Sequence, residues 1–402
     1  MLRSTEISRQ KNRIAPTPCP TVRCLENEFY PNAVTSFAPS SRNSASTLST
    51  CRKRTSTVAN GGLRGRSNAC AALDDSGHFG GDFVCNLTVT LEDVADSFGT
   101  TVEDIPEECR VLFAETDFRY NILEGEERDR VILDVLKKTD LDRQRIGAAE
   151  RKDAWQQGWE ENLRDFVEHG YDLNSLTPKF IRPNRPIRFK GNYILPANPM
   201  FELAYLRLFR LWLFKEYFAD ADFVYEFGCG TGFNLVELAR LYPEKKLYGL
   251  DFVPASVELV NKIGQVYRWN LTGHLFDMTT PDDTFHIDKR GVVLTFGALE
   301  QLAGKFEAFL QFLFERPPAL CVNIEPTVEL YDRDKLFDYL AIKFHEQRGY
   351  SENYLPRLIE LENQGKVDLL KAKRLFFGSL YMEGYTCIIW RPRERVDNGT
   401  GN

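Results

Sequence analysis

Apolar and polar residues alternate between strand-like and helix-like spacing through the second half of the chain. The predicted strands are 223–226, 246–251, 273–276, 291–295 and 319–324. The predicted helices are 200–218, 234–241, 255–266, 302–313, 333–347 and 354–363. Residues 374–381 and 386–390 are predicted to form a closing antiparallel hairpin. The pattern therefore predicts an α/β fold, with a doubly wound, mostly parallel sheet of seven strands and helices on both faces.

The preceding segment, residues 76–198, has mainly helical patterns. Residues 116–138 and 149–170 carry apolar side chains at helical spacing among many charges, and one short strand is expected within 83–89. Residues 172–199 contain five prolines and are predicted to form a loop. We therefore expect a helical N-terminal extension that caps a domain of residues 199–392, with residues 393–402 as a polar tail.

Composition separates residues 1–72 from the remainder of the chain. This segment holds 18 Ser or Thr, 11 Lys or Arg and only 3 Asp or Glu. Such a composition is typical of an organelle transit peptide and predicts import into a plastid or mitochondrion. The alternative is a solvated, disordered tail on a cytoplasmic protein.

Charge and hydropathy narrow the range of partners. The 330 residues after position 72 carry 40 basic and 55 acidic side chains, and this acidic body disfavours binding to nucleic acid or to an anionic membrane. No apolar run approaches the ~20 residues that a membrane helix needs. The nine cysteines form no CxxC pair or Cys/His cluster with zinc spacing, so no metal site is predicted.

A glycine-rich turn follows the first strand of the predicted parallel sheet. Residues 226–232 read Glu-Phe-Gly-Cys-Gly-Thr-Gly, and an apolar helix comes next. Glycines allow a sharp turn and a close approach of the backbone to a ligand, and the N–H groups that begin the helix attract a carboxylate. Dinucleotide-binding enzymes carry GxGxxG/A instead. Phe233 and Leu235 stand where that pattern needs a small residue.

The acid-x-GxGxG motif resembles motif I of class I S-adenosylmethionine-dependent methyltransferases. The resemblance covers about residues 199–392 and implies S-adenosylmethionine as the cofactor. It continues at Asp251, which would accept both ribose hydroxyls, and at Phe252, which would lie against adenine. Asp277 follows the third strand, where the family places an acid for the adenine amino group.

The end of the fourth strand, residues 295–301, also resembles the family, although Gln301 stands where many relatives carry His. No catalytic role of that His can be carried over. The cofactor-binding residues that the resemblance implies are Glu226, Gly228, Cys229, Gly230, Gly232, Asn234, Asp251, Phe252, Asp277, Met278, Thr295, Gly297 and Glu300.

The residues that are candidates for contact with the methyl acceptor lie outside these motifs. Glu325 and Tyr331 follow the fifth strand and are the candidate catalytic residues, with Glu325 as a base or as the partner of a cationic group. The alternative is that this segment only caps a helix. The candidate substrate contacts are Glu329 in the same segment, Arg348 for a substrate carboxylate, and Tyr193 and Arg185 for a carboxylate of the cofactor or of the substrate.

These features favour a methyltransferase that acts on a small molecule. One acceptor considered is a carboxylate-bearing thioether or amine, as in S-methylation towards dimethylsulfoniopropionate, because an aromatic-walled pocket attracts a sulfonium or ammonium. A protein or RNA substrate, and a non-catalytic cofactor-binding protein, are the alternatives left open.

Overall fold

The computed structural model describes residues 85–146 and 150–393. The predicted transit-like segment, 1–72, and the polar tail after residue 393 lie outside the described residues. None of the helices in these ranges combines the length and the hydropathy that a membrane-spanning segment needs.

The bounds of the strands and helices follow the chain in order. The strands are β1 (Leu87–Thr88), β2 (Arg119–Ile122), β3 (Ile187–Phe189), β4 (Asn192–Pro196), β5 (Phe223–Phe227), β6 (Lys246–Asp251), β7 (Leu271–Leu275), β8 (Gly291–Phe296), β9 (Leu320–Glu325), β10 (Val367–Arg374), β11 (Phe377–Gly378) and β12 (Thr386–Pro392). The helices are α1 (Leu91–Phe98), α2 (Glu107–Ala114), α3 (Gly125–Leu141), α4 (Glu150–Glu168), α5 (Phe201–Tyr217), α6 (Phe233–Leu241), α7 (Pro254–Tyr267), α8 (Glu307–Glu315), α9 (Leu336–Arg348) and α10 (Tyr354–Asn363).

The larger sheet has seven strands in the order β10-β12-β9-β8-β5-β6-β7. Strands β9, β8, β5, β6 and β7 are parallel neighbours, and β12 runs antiparallel to both β9 and β10. Since β5 pairs with β6 on one side and β8 on the other, the strand order reverses at β5. Ligands of open α/β sheets bind at the carboxyl ends of the strands next to such a reversal.

Helices cover both faces of this sheet, which explains why its central strands are buried on both faces and mainly apolar. Three successive residues of β8, Val292 to Leu294, are buried. Helices α5, α6 and α7 contribute buried side chains such as Trp212 to the core on one face. Helices α8 and α10 contribute others, such as Phe309, to the core on the opposite face. The predicted doubly wound, mostly parallel seven-stranded sheet is therefore confirmed.

The N-terminal extension differs from the predicted helical cap. It contains α1 to α4, but also four strands of a second, antiparallel sheet with the order β1-β2-β4-β3-β11. The prediction of a loop over 172–199 was therefore wrong at β3 and β4. These strands have three and five residues and lie among prolines, and β3 pairs with β11, far along the chain. Such pairing depends on tertiary contacts that a local pattern does not contain.

The closing antiparallel pair is present, but its first strand was predicted too late in the chain. It is β10, Val367–Arg374, which pairs with β12, whereas 374–381 contains β11 of the second sheet. Strand β10 lies at the edge of the larger sheet and carries Asp368, Lys371 and Lys373. Charged residues are common on edge strands and hide the apolar pattern.

Candidate functional site

The glycine-rich turn joins β5 to α6 at the point where the strand order reverses. Gly228 and Gly230 have φ angles of 72° and 53°, in the left-handed region that glycine tolerates. A Cβ at Gly228 would lie 2.5 Å from the Cβ of Ala298. The N–H groups of Gly228 and Cys229 donate to the carbonyl of Leu250, at 2.7 and 3.1 Å. The turn is thereby held between the ends of β6 and β8.

Asp251 ends β6 and is tied to the same turn. Its Oδ2 accepts a hydrogen bond from Gly230 N at 2.9 Å, and its Oδ1 accepts one from Val253 N at 3.0 Å. Burial raises the pKa of this carboxyl, while the backbone hydrogen bonds oppose that rise. A carboxylate oxygen has two lone pairs, so each oxygen of Asp251 can accept a second bond from a ligand hydroxyl.

Glu226 and Asn234 place unpartnered acceptor atoms beneath the turn. Glu226 Oε1 accepts from Asn234 Nδ2 at 2.7 Å. Glu226 Oε2 and Asn234 Oδ1 are buried and have no hydrogen-bond partner. Burial raises the pKa of Glu226 to about 8. Buried polar atoms are rarely left unpaired, because each costs about 1–3 kcal/mol. Two such oxygens, on side chains joined to each other by a hydrogen bond, fit a ligand that donates N–H groups.

The residues that follow β6 and β7 differ in their exposure to solvent. Asp277 is exposed, and its Oδ1 accepts from the amide and hydroxyl of Thr279, at 2.8 and 2.7 Å. Met278 is buried beside Phe276 in the core, and Phe252 after β6 is half-buried. Asp277 therefore keeps a second oxygen available to a ligand, as its predicted role requires.

The end of β8 combines a buried anchor with open space. Thr295 is buried, and its hydroxyl accepts from Asn323 Nδ2 at 2.9 Å. Gly297 has a φ of 64°, and no atom lies within 4 Å of the position that its Cβ would take. Glu300 is half-buried and accepts from Gln301 Nε2 at 2.6 Å. The space beside Gly297 is available to a ligand at the carboxyl edge of the sheet.

Glu325 ends β9 and binds the backbone of the neighbouring loop. Its Oε1 accepts from Ala298 N at 3.2 Å, and its Oε2 accepts from Glu300 N at 3.3 Å. Burial raises its pKa to about 7 against these bonds. The carboxyl lines a small cleft together with Glu300 and Glu329. Its geometry is that of an anchor for residues 298–300, and its role as a base stays a prediction.

The other candidates for contact with the acceptor make their contacts elsewhere, except Glu329, which lines the same cleft as Glu325. The Tyr331 hydroxyl donates to the carbonyl of Glu383 at 2.8 Å, and the Tyr193 hydroxyl accepts from Arg188 at 3.2 Å. Arg348 Nε lies 2.6 Å from Asp142 Oδ2 of the extension. Glu329 is exposed and accepts from Asn353 N, and Arg185 is half-buried before β3. Arg348 is thus already paired with a carboxylate of the protein.

Two tryptophans of the extension were missed by the sequence analysis. The indole of Trp159 on α4 lies 3.1 Å from the position that a Cβ of Gly230 would take. Trp155 stacks on Trp159, with ring centroids 5.3 Å apart. Nearby, the Thr231 hydroxyl donates to the carbonyl of Leu176 at 3.0 Å. The signal available in the sequence was two tryptophans four residues apart on one face of a highly charged helix.

The start of β12 brings a further tyrosine to the carboxyl edge. Thr386 is paired with Glu325, so Tyr385 lies beside the ends of β8 and β9. Its ring centroid is 5.7 Å from that of Phe296. Burial raises the pKa of Tyr385, and the nearby charges of Glu202 and Glu300 raise it further, whereas Arg210 opposes them. Tyr385 and Glu202 were not among the predicted site residues.

Comparison with known proteins gives one partial relative. No family model matches the chain. The chain is similar to O-methyltransferase 3 of Dictyostelium discoideum, with 29% identity over 141 residues, which are 33% of this chain and 31% of that protein. The match therefore spans about a third of the length of this relative.

Solved structures are similar at low identity. They include the cyclase SpnF, at 11% identity and a TM-score of 0.41, over 62% of this chain and 98% of that one. Another is geranyl diphosphate C-methyltransferase from Streptomyces coelicolor A3(2), at 9% identity and a TM-score of 0.36, over 59% and 98%. A third is magnesium protoporphyrin IX methyltransferase from Synechocystis PCC 6803, at 15% identity and a TM-score of 0.32, over 46% and 80%. With scores below 0.5, these likenesses do not determine what this chain does.

Proposed function

We propose that this chain, which has the class I methyltransferase fold, is an S-adenosylmethionine-dependent methyltransferase that acts on a small molecule. The fold is that of a doubly wound sheet in which β12 alone among the seven strands runs against the others. A fold does not fix a reaction, so the proposal depends on the site.

The observation that carries the proposal is the pair of buried, unpartnered oxygens under the glycine turn, Glu226 Oε2 and Asn234 Oδ1. S-adenosylmethionine carries an ammonium group that donates three hydrogen bonds and a carboxylate that suits the N–H groups at the start of α6. Asp251 lies at the end of the next strand, in position for hydroxyl groups. The residues present therefore fit this cofactor.

The chain's own residues supply binding, orientation and shielding. When bound, the cofactor supplies an electrophilic methyl group on a sulfonium sulfur. The glycine turn allows close backbone contact, Asp251 and Glu226 orient the ligand, and the open space beside Gly297 admits an acceptor. Trp159 covers the turn and reduces access of water. Holding two reactants in line accounts for a large part of the rate enhancement of such transfers.

A small acceptor is supported by the way the extension covers the carboxyl edge. Helix α4 packs against α7, and Trp159 lies on the glycine turn, so that the extension covers part of this edge. The acidic body of the chain disfavours RNA. Import into a plastid or mitochondrion remains part of the proposal, supported only by the composition of residues 1–72.

The test uses the full chain in two measurements. Isothermal titration with S-adenosylhomocysteine should give saturable binding, and labelled methyl groups should pass from S-adenosylmethionine to a component of a small-molecule extract. Asp251→Asn should weaken binding at least about tenfold, as expected for a lost charge-assisted hydrogen bond. Asp220→Asn, at an exposed acid, is the matched control and should bind like the wild type. Absence of both binding and transfer in the folded wild type would overturn the proposal.

A further inference from the structure

A buried acid in the first turn of α5 has no partner for one of its oxygens. Glu202 is 5% exposed, and its Oε1 has no hydrogen-bond partner. Burial raises its pKa to about 7. The first turn of a helix is favourable for a carboxylate, but the attraction of the helix dipole does not replace a missing donor. Some donor outside the chain fits this oxygen.

Ring contacts place the start of α5, which carries Glu202, near the carboxyl edge of the larger sheet. Tyr205, three residues after Glu202, has its ring centroid 4.5 Å from that of Phe377, and Phe377 stacks on Tyr385 at 5.5 Å. Burial raises the pKa of Tyr385, and the charge of Glu202 raises it further. Tyr385 precedes Thr386, the residue paired with Glu325 at the end of β9. Glu202 therefore lies near Tyr385 and the carboxyl ends of β8 and β9, the edge at which the acceptor is expected.

Acidic side chains outnumber basic ones around this edge in the described part of the chain. The acids are Glu202, Glu226, Asp251, Glu300 and Glu325. Arg210 is the basic residue among them: its guanidinium lies 3.7 Å from Glu237, donates to the carbonyl of Phe233 and covers the Phe233 ring, while its Nε is buried without a hydrogen-bond partner. Arg348 is paired with Asp142. Burial raises the pKa values of Glu202, Glu226 and Glu325, and a bound cation favours the ionised form of such carboxyls, which in turn attract it.

We propose that the methyl acceptor is an amine and that Glu202 binds its nitrogen and receives its proton. The inference rests on the proposed methyl transfer. An ammonium N–H bonds to Glu202 Oε1, the proton passes to the carboxylate, and the freed lone pair forms the N–CH₃ bond while the S–CH₃ bond breaks and leaves its electron pair on sulfur. The methylated nitrogen then carries the positive charge. A carboxyl that titrates near neutral pH is suited to take up a proton and release it again.

The proposed role of Glu202 can be tested by the binding of small charged and neutral molecules, without measuring methyl transfer. Butylammonium chloride, butanol and sodium butyrate are each titrated into the full chain with S-adenosylhomocysteine present. Butylammonium should bind, and butyrate should not. Glu202→Gln should weaken butylammonium binding at least about tenfold, because a charge-assisted hydrogen bond is lost. Glu202→Asp, which keeps the charge, should recover part of the affinity. Glu216→Gln, at an exposed acid of the same helix, should bind like the wild type.

The outcomes separate this inference from the proposed function. Equal butylammonium binding by wild type and Glu202→Gln, or tighter binding of butyrate, overturns the role of Glu202. Labelled methyl found only on oxygen or sulfur overturns the amine acceptor and leaves the methyltransferase standing. If S-adenosylhomocysteine does not bind at all, the proposed function fails, and the probes titrated into the free chain still decide whether Glu202 holds an ammonium group.

Discussion

Gly228 and Gly304 have similar left-handed backbones but different surroundings. Their φ angles are 72° and 79°, yet a Cβ would meet Ala298 at 2.5 Å in the first case and no atom within 4 Å in the second. Gly304→Ala should cost about 1 kcal/mol, from backbone conformation alone. Gly228→Ala should cost at least ~1 kcal/mol more, since the loop after β8 must move.

Urea unfolding of the two alanine variants measures this difference directly. Titration with S-adenosylhomocysteine in the same samples should show weaker binding for Gly228→Ala only. Equal losses of stability would mean that the contact between the turn and Ala298 is not tight.

Glu325 offers a second test at the residue scale. Because its two oxygens accept from Ala298 N and Glu300 N, Glu325→Ala leaves two N–H groups without an acceptor. We expect a loss of about 2 kcal/mol for alanine and clearly less for Glu325→Gln, which keeps one acceptor oxygen. Thermal unfolding would show which of the two variants is less stable. If glutamine is as damaging as alanine, the carboxylate has a task other than anchoring the loop.

The site residues that could be predicted from the sequence are all marked by a local sequence pattern. The glycine turn, Asp251 and Asp277 each follow a strand whose apolar run is visible in the sequence, and all of them lie at strand ends in the structure. Tyr385 and Glu202 could not be found in this way. They reach the site through the pairing of β12 with β9 and through the packing of α5, which no short window of sequence contains.

At the scale of elements, α4 links the extension to the cofactor turn. Trp159→Ala should raise the Kd for S-adenosylhomocysteine several-fold, because the ring that covers Gly230 is lost and water gains access. Trp155→Ala removes a tryptophan from the same helix without that contact and should change the Kd much less. Isothermal titration gives both values. An unchanged or lower Kd for Trp159→Ala would show that α4 does not close the turn.

The second sheet shows which secondary-structure elements cannot be predicted from local sequence patterns. The helix over 354–363 and the strand over 246–251 were predicted at their observed bounds, since each has a clear period and clear ends. Strands β3 and β4 show little apolar periodicity in the sequence and are stabilised by packing against other segments of the chain. Ile194 and Phe189, for example, are buried in cores shared with distant segments.

At the scale of the molecule, a buried ionic network joins the two sheets. Arg374 at the end of β10 bonds Asp338 on α9 at 2.6 Å and Glu383 at 2.5 Å. Arg188 of β3 lies 3.8 Å from Glu383 and 4.0 Å from Asp338. Removal of one partner leaves a buried charge without compensation.

The expected cost of Asp338→Asn is therefore about 3–5 kcal/mol. Arg391→Gln, which breaks an exposed pair with Asp368, should cost less than about 1 kcal/mol and serves as the control. Urea unfolding separates these cases. A small loss for Asp338→Asn would mean that water already screens the network.

The pH dependence of stability follows from carboxyls that are buried without full compensation. Burial raises the pKa of Glu226 to about 8 and those of Glu202 and Glu325 to about 7, above the ordinary value near 4.5. The folded chain therefore holds more protons than the unfolded chain between pH 4.5 and 8. The stabilising effect is complete below pH 4.5 and is lost as the pH rises through 7 and 8. We expect the free energy of unfolding to fall on the order of 1 kcal/mol per pH unit from pH 5.5 to 7.5.

Glu226→Gln should flatten this slope, because its buried site no longer titrates, whereas Glu216→Gln should follow the wild type. Urea unfolding at pH 5.5, 6.5 and 7.5 measures all three proteins, and a stability that rises with pH over this range would contradict the burial of these carboxyls.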